Sequence, residues 1–304
     1  IDAVNERLAG YVDEQLADAK AQIDEMLEVH FNHPSIIAWG VGNELDGQSV
    51  ITAQYVKNMK SYILKQDHNR LMSYVSNTIW DTPQDATALG DIIMANDYIG
   101  TWHGNKDTRA EIKRFWDAHR EMPMVISEFG LCEPAFAGGD PRREQIFMEK
   151  MKIYREFGIS GIIWFCLNDY RTQMGEEGEG RLRRRVHGSA DLYGNPKPSY
   201  ETVKRECAPL YISSINAVNT DDNSDEKTSG VEIVIANKNA LPCYEAKGYH
   251  LAGFDGAGCL ISYTTLKPLK PGETQKIFLA DAQSQLARIA IQRPNGAESI
   301  SYFI

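Results

Sequence analysis

Apolar positions along the chain fall into two textures, and the change comes near Pro209. Ahead of it, stretches with apolar residues three and four apart alternate with short, uniformly apolar runs. Residues 4–30 open with helical spacing: Leu8, Val12, Leu16, Ala19, Ile23, Met26 and Leu27 mark one face, and charged residues fill the others. His33-Pro34 then predicts a turn, because proline fixes its own φ and keeps the residue before it extended. The run 35–41 follows, apolar enough for a strand buried on both faces. Helical patterns over 53–66, 83–89, 108–119, 141–157 and 198–206 alternate with strands over 71–75, 92–95, 124–127 and 161–167. Tyr55, Met59, Tyr62 and Ile63 mark the inward face of one of those helices, and Ile112, Phe115 and Trp116 that of another.

Five apolar strands alternating with helices predict an α/β fold with a parallel sheet or barrel. A complete eight-fold barrel needs about 250 residues. Here about 208 precede the change of texture, and a helix comes before any strand. The expected fold is therefore a (β/α)8 TIM barrel represented by its last five or so βα units, cut off from the first three. After Pro209, short alternating segments at 231–236, 249–254, 260–264, 276–279, 287–291 and 299–304 are separated by clusters of Gly, Pro, Asn and Asp. That texture predicts an all-β sandwich of immunoglobulin type. The expected domains are 1–208 and 209–304.

Composition narrows the function classes. The 304 residues are 42% hydrophobic and 24% charged, with a formal net charge of −10. The acidic balance is the wrong sign for a nucleic-acid surface, and no apolar run reaches the roughly 18 residues of a membrane span. Cys132, Cys166, Cys207, Cys243 and Cys259 form no C-x-x-C pair, and the seven histidines lack metal-ligand spacing. No metal or cofactor is expected. The chain begins at Ile1 without a signal sequence, so location is unknown, with a periplasmic or secreted one open.

Candidate chemistry sits where two of the strands end. The first runs into Gly42-Asn43-Glu44, and 124–127 runs into Glu128-Phe129-Gly130. Taken alone, Glu44 reads as a helix-capping or salt-bridged carboxylate. The 84 residues from Glu44 to Glu128 correspond to three βα units at about 30 residues each. Glutamates at the carboxyl ends of strands three places apart face each other across a barrel mouth, where such folds keep their chemistry. Glycoside hydrolysis needs two carboxyl groups flanking the bond, at about 5 Å for a covalent glycosyl-enzyme with retention and wider for inversion. Mutual repulsion and partial burial keep one of them protonated near neutral pH.

At these residues the chain resembles glycoside hydrolase family 2, the β-galactosidase, β-glucuronidase and β-mannosidase family. His33-Pro34-Ser35-Ile36-Ile37 followed by Gly42-Asn43-Glu44 looks like its acid/base motif, and Ile126-Ser127-Glu128-Phe129-Gly130 like its nucleophile motif. Asn96, Tyr98, Gly100 and Trp102 resemble its strand-six signature, and Ile163-Trp164 through Asn168-Asp169 its strand eight. His187-Gly188 with Pro196-Lys197-Pro198 resembles the segment that closes the barrel. The resemblance covers roughly 20–206. It implies Glu44 as general acid/base, Glu128 as nucleophile and Asn43 as the holder of the sugar 2-hydroxyl. It further implies that Tyr98 hydrogen-bonds Glu128 and that Trp164 forms an apolar platform for a sugar face. His103 and Asp169 are weaker candidates for sugar hydroxyls, and Trp164 reads alternatively as a core tryptophan.

Family members carry a sugar-binding β-domain, a sandwich and three barrel strands ahead of the segment seen here. The expected partners are therefore those N-terminal domains and a carbohydrate substrate, with a homo-oligomer open. The chain alone is expected to have little or no activity. The run Arg181-Leu182-Arg183-Arg184-Arg185 after the acidic, glycine-rich 175–180 reads as a solvated loop near the barrel mouth, and otherwise as a contact for an acidic sugar. The Asn-x-Lys-Gly element of the glucuronidase branch is absent after the last barrel strand, which favours β-galactosides. The acidic stretch 221–226 reads as a solvated excursion. A non-catalytic carbohydrate-binding fragment is the main rival. Aldolase or metal-hydrolase chemistry would need a strand-end lysine or a ligand cluster, and neither is present.

Overall fold

The structure is a computed structural model that describes residues 2–133, 135–171, 184–219, 229–280 and 285–304; of residues 2–13, 184, 219 and 229 it describes the backbone alone. Two compact units divide the chain, Ile1–Gly188 and Ser189–Ile304.

The first unit begins with α1 (Asp2–His30), whose Ile23 and Leu27 enter the core; the expected facial residues Leu8 and Val12 lie outside the described side chains. The chain turns at His33, where the Ile36 amide donates to the His33 carbonyl (3.2 Å), and enters β1 (Ala38–Gly40). Arg70 fixes this entry. Its guanidinium donates to the carbonyls of Ile36 (3.0 Å) and His33 (3.1 Å) and to Asp67 (2.7 Å), which in turn accepts from the Trp39 indole (3.0 Å).

Next come α2 (Val50–Leu64), β2 (Leu71–Ser76), a 3₁₀ turn (Ala86–Leu89), β3 (Ile92–Asn96), α3 (Thr108–Ala118), β4 (Met124–Phe129), α4 (Gly139–Glu156) and β5 (Gly161–Trp164). Local chemistry sets their starts. The Ser49 hydroxyl accepts from the Ile51 amide (3.2 Å) and the Asp107 carboxylate from the Ala110 amide (3.1 Å), satisfying donors that a helix start leaves open.

β1 to β5 form one parallel sheet in chain order, a half-barrel whose helices lie between successive strands. Val56, Met59 and Ile63 of α2 pack with Trp39, Met72 and Tyr74 of the sheet. The inner strands are buried as their composition demands. The outer runs differ: 35–41, expected to be buried on both faces, and 161–167 leave Ile37, Ile163 and Leu167 exposed, because β1 and β5 are the edge strands of the sheet among the described residues. Register shifts occur between Ala95 and Asn96 and between Ile126 and Phe129, both at carboxyl ends of strands. A two-stranded ribbon of β6 (Tyr170–Arg171) and β7 (Arg184–Arg185) completes the unit.

The second unit contains α5 (Pro198–Cys207) and seven strands: β8 (Leu210–Asn219), β9 (Ser229–Asn237), β10 (His250–Phe254), β11 (Leu260–Thr265), β12 (Thr274–Ala280), β13 (Arg288–Gln292) and β14 (Glu298–Phe303). They form two antiparallel sheets, ordered β12-β9-β8 and β11-β10-β13-β14. Alternate residues of both sheets, among them Ile233, Ile235, Leu251, Ile277, Ile289 and Ile291, share one apolar core. α5 packs on β14, which puts this helix with the second unit and the division near residue 188, where the texture of the sequence suggested 208. The stretch 221–226 and the basic residues 181–183 lie outside the described residues.

Candidate active site

Alternation along β4 decides where Glu128 points. Phe129 turns to the helix layer, its ring packed on Phe147 (5.6 Å) and Tyr154 (5.2 Å) of α4. Its neighbour Glu128 therefore takes the opposite face. Gly130 then passes so close to the chain after β5 that a Cβ there would collide with the Phe165 carbonyl oxygen.

The end of β3 divides the same way. Asp97 is buried and faces α4: its carboxylate accepts from Lys150 Nζ and from the Tyr154 hydroxyl, both at 2.7 Å, and Lys150 also donates to the Asp97 carbonyl (2.7 Å). Burial pulls the Lys150 ammonium down from its usual range, and Asp97 pulls it back up. The residues on either side, Asn96 and Tyr98, face the glutamates. Tyr98 donates to Glu128 Oε2 (2.9 Å), and Asn96 Nδ2 donates to Glu44 Oε1 (2.9 Å) and approaches Asn43 Oδ1 at 3.3 Å. The Ser127 hydroxyl donates to Asn96 Oδ1 (2.8 Å) and fixes which way the amide faces.

Glu44 stands just beyond β1 with φ of 55°, the one left-handed non-glycine among the described residues. Such backbone costs about 1–3 kcal/mol and concentrates at functional sites. Its neighbour is clamped: the Leu45 carbonyl accepts from the Tyr74 hydroxyl (2.7 Å) and from the Asn77 amide (3.0 Å).

Glu44 and Glu128 line one cleft of about 480 Å³, together with Tyr98, His103, Trp102, Asn77, Phe165, Tyr170, Arg185 and His187. Burial raises the Glu128 carboxyl, the Tyr98 hydrogen bond opposes that rise, Glu44 adds to it, and Asn96 lowers it again; the net direction is up. Burial likewise raises the Tyr98 hydroxyl, with Glu128 beside it, and lowers His103. His103 Nδ1 accepts from the Tyr98 amide (3.1 Å), so its other nitrogen is the one free to face the cleft.

Of the residues expected to bind sugar, Tyr98 and His103 line the cleft with the two glutamates. Asn43 adjoins Glu44 and accepts from Asn96 Nδ2 at 3.3 Å, but lines a second cavity instead of this cleft. Trp164 does not line the cleft either. Its ring packs edge-on against Phe129 (4.9 Å) and Phe147 (5.1 Å) in the helix layer, and the next residue, Phe165, lines the cleft in its place. β5 stops at Trp164, three residues short of the expected end, so the face reaching the cleft shifts by one residue. Asp169 is also outside the cleft lining, its carboxylate accepting from the Gly188 amide (2.9 Å). Sequence reasoning missed Phe165, Asn77 and Tyr170 as lining residues, and only the position of Phe165 directly after the last strand offered a signal. No group of His, Cys, Asp and Glu suited to a metal occurs among the described residues, and no helix among them is long and apolar enough to cross a membrane.

The sequence model described as "Glycosyl hydrolases family 2, TIM barrel domain" matches residues 6–168, more than half of the chain. The chain belongs to glycosyl hydrolase family 2. Among family 2 relatives, a β-glucuronidase of Bacteroides fragilis is 31% identical over 132 residues, covering 40% of this chain and 18% of that protein. A β-galactosidase of Thermoanaerobacterium thermosulfurigenes is 27% identical over 201 residues, covering 63% and 26%. The chain thus spans about a fifth to a quarter of the length of these curated relatives. Among solved structures, a putative β-galactosidase from Bacteroides fragilis superposes on 95% of this chain and 43% of its own, with a TM-score of 0.55 at 16% identity. A β-glucuronidase from Ruminococcus gnavus in complex with D-glucaro 1,5-lactone covers 63% of this chain and 35% of its own, with a TM-score of 0.54 at 23% identity. These likenesses establish the fold. Family 2 members are glycoside hydrolases.

Proposed function

We propose that this chain carries the catalytic carboxylates of a retaining exo-β-glycosidase, with Glu128 as nucleophile and Glu44 as general acid/base. One observation carries the reading: Asn96 and Tyr98, two residues apart on one strand end, hydrogen-bond the two glutamates in a single cleft. That linkage favours the short carboxyl separation, about 5 Å, of a double displacement. Glu128 attacks the anomeric carbon while Glu44 gives its proton to the leaving oxygen, forming a glycosyl ester. Glu44 then takes a proton from water, which attacks the same carbon and releases Glu128. Asn43 holds the sugar 2-hydroxyl. Phe165 takes the apolar platform role first read at Trp164.

The half-barrel works as part of a longer polypeptide that supplies the remaining strands and part of the sugar pocket, so the 304-residue chain alone has little or no activity. The two antiparallel sheets of the second unit form a sandwich of immunoglobulin type. The missing Asn-x-Lys-Gly element favours β-galactosides, with β-glucuronides and β-mannosides as alternatives.

The test uses the full-length protein that carries this chain. Activated 2-deoxy-2-fluoro glycosides should inactivate it and leave a glycosyl ester on Glu128, detected by peptide mass, and the product anomer should match the substrate. Labelling of another residue, or an inverted product, would overturn these roles.

A further inference from the structure

Asp85 is a buried carboxylate with no ammonium or guanidinium paired to it among the described residues. Such a group needs hydrogen-bond donors in place of a cation. It has three. The hydroxyls of Ser76 (2.7 Å) and Thr78 (2.9 Å) donate to Oδ2, and the Thr87 amide donates to Oδ1 (2.9 Å). The Thr87 bond starts the 3₁₀ turn at Ala86–Leu89. The two hydroxyls serve a different element, the loop from β1 to α2 that carries Glu44.

That loop is stitched to the chain around β2 at three points. The Val75 amide donates to the Gly42 carbonyl (3.1 Å), and the Asn77 amide donates to the Leu45 carbonyl (3.0 Å). Gly47 is gripped by both of its backbone groups: its amide donates to Thr78 Oγ1 (3.1 Å), and its carbonyl accepts from the Ala86 amide (2.8 Å). Thr78 Oγ1 therefore gives its own proton to Asp85 and accepts one from Gly47, so the carboxylate sets the direction of the hydroxyl. Gly47 is buried, and a Cβ there would fall 2.2 Å from Asp85 Oδ1, so only a bare backbone comes this close.

Glu44 stands between the Gly42 and Gly47 attachments, with its φ of 55°. A non-glycine residue keeps left-handed backbone only where its surroundings over-determine it. Upstream, the ladder to β2 does so. Downstream, the Gly47 amide ends on a hydroxyl that Asp85 orients. The Glu44 carboxylate stays open to solvent while the turn beneath it is fixed.

We propose that Asp85 is a positioning residue for Glu44: through Thr78 and Gly47 it holds the left-handed turn that aims the Glu44 carboxylate into the cleft. The assignment rests on the general acid/base role of Glu44 proposed above. It goes beyond that role by placing its control in a buried side chain outside the cleft lining.

The test compares the full-length wild type with Asp85→Asn, Thr78→Val, these two combined, and Glu44→Gln. The substrates are 2,4-dinitrophenyl and phenyl β-glycosides of galactose, glucuronic acid and mannose. A phenyl glycoside needs the Glu44 proton to form the glycosyl-enzyme, and a 2,4-dinitrophenyl glycoside does not. Asp85→Asn keeps the size of the side chain and puts a donor where two hydroxyls donate. It should lower kcat/KM on the phenyl glycoside by about 10- to 100-fold, the scale of a misplaced reacting group. The 2,4-dinitrophenyl value should stay within about threefold. On that substrate kcat and KM should fall together, because attack of water on the glycosyl-enzyme still needs Glu44. Thr78→Val, which keeps the shape and loses the hydroxyl, should show the same pattern and carries the test if Asp85→Asn does not fold. The combined variant should lose no more than the worse single one, as two links of one chain do. Equal loss on both leaving groups would make Asp85 a support of the fold alone and overturn the proposal. So would no loss on either, or single losses that multiply in the combined variant. Equal loss in Glu44→Gln, or turnover of none of these glycosides, would instead remove the acid/base reading beneath the proposal, and the proposal with it.

Discussion

The two glutamates of the cleft are held by different means. Glu128 ends a six-residue strand inside the sheet, half-buried, with Tyr98 on its carboxylate and Phe129 anchored in the helix layer. Glu44 follows a three-residue edge strand, is solvent-exposed, and sits on left-handed backbone with Asn96 donating to its carboxylate. A group that must approach a carbon along one line gains from rigid support, because misplacement by about 1 Å can cost a hundredfold in rate. A group that passes a proton out and back tolerates an open, wetter position. The difference between the two strand ends is the one that the proposed roles, Glu128 as nucleophile and Glu44 as proton carrier, call for.

Four substitutions sharpen or break this comparison in the full-length protein. Glu128→Gln should have the largest effect, a loss of turnover of about 10⁴-fold or more on every substrate, because no other group can form the ester. Glu44→Gln should depend on the leaving group. Alkyl glycosides should lose about 10²- to 10⁴-fold, whereas 2,4-dinitrophenyl glycosides, which need little proton donation, should form the glycosyl-enzyme at near the normal rate. Equal losses on both substrates would erase the contrast between the two residues.

Asp97→Asn tests the support behind the rigid side. It leaves the Lys150 ammonium in a buried place without its carboxylate, at a cost of about 3–5 kcal/mol in urea unfolding. Breaking the more exposed Lys60–Asp91 pair should cost about 1 kcal/mol or less. Tyr98→Phe should have the mildest effect, about tenfold on kcat/KM. The sign of its pH effect is fixed. The phenol favours the ionised form of Glu128, so its removal raises that pKa, and the acidic limb of the kcat/KM profile moves to higher pH. An unmoved limb would show that Tyr98 does not support the carboxylate.

The five strands of the half-barrel were legible because each is a compact apolar run between helical patterns, and the observed bounds of β2 and β3 extend the expected ones by a single residue each. Glu44 and Glu128 were legible because polar residues ending such runs stand out. β8 (Leu210–Asn219) was not, since Ser213, Ser214 and Asn216 interrupt its apolar alternation and it directly follows the expected domain boundary. Trp164 was misassigned for a related reason. A sheet swaps faces with every residue, and β5 ends at Trp164, three residues before the expected Leu167, with Trp164 on the helix side and Phe165 on the cleft side. Asn96 stands out in the sequence only as part of a signature, because its link to both strand ends depends on neighbours after β1 and on β4 that lie far off in sequence.

Among the described residues both rims of the parallel sheet stand open: β1 pairs with β2 alone and β5 with β4 alone, while Ile37 beside one rim and Ile163 on the other are 71% and 52% exposed. Rows of unmet amides and carbonyls flanked by apolar side chains recruit further strands from whatever polypeptide is nearby. Purified by itself, this chain should stick to its own copies, rim against rim, and stay dispersed only when the rest of the cylinder is supplied.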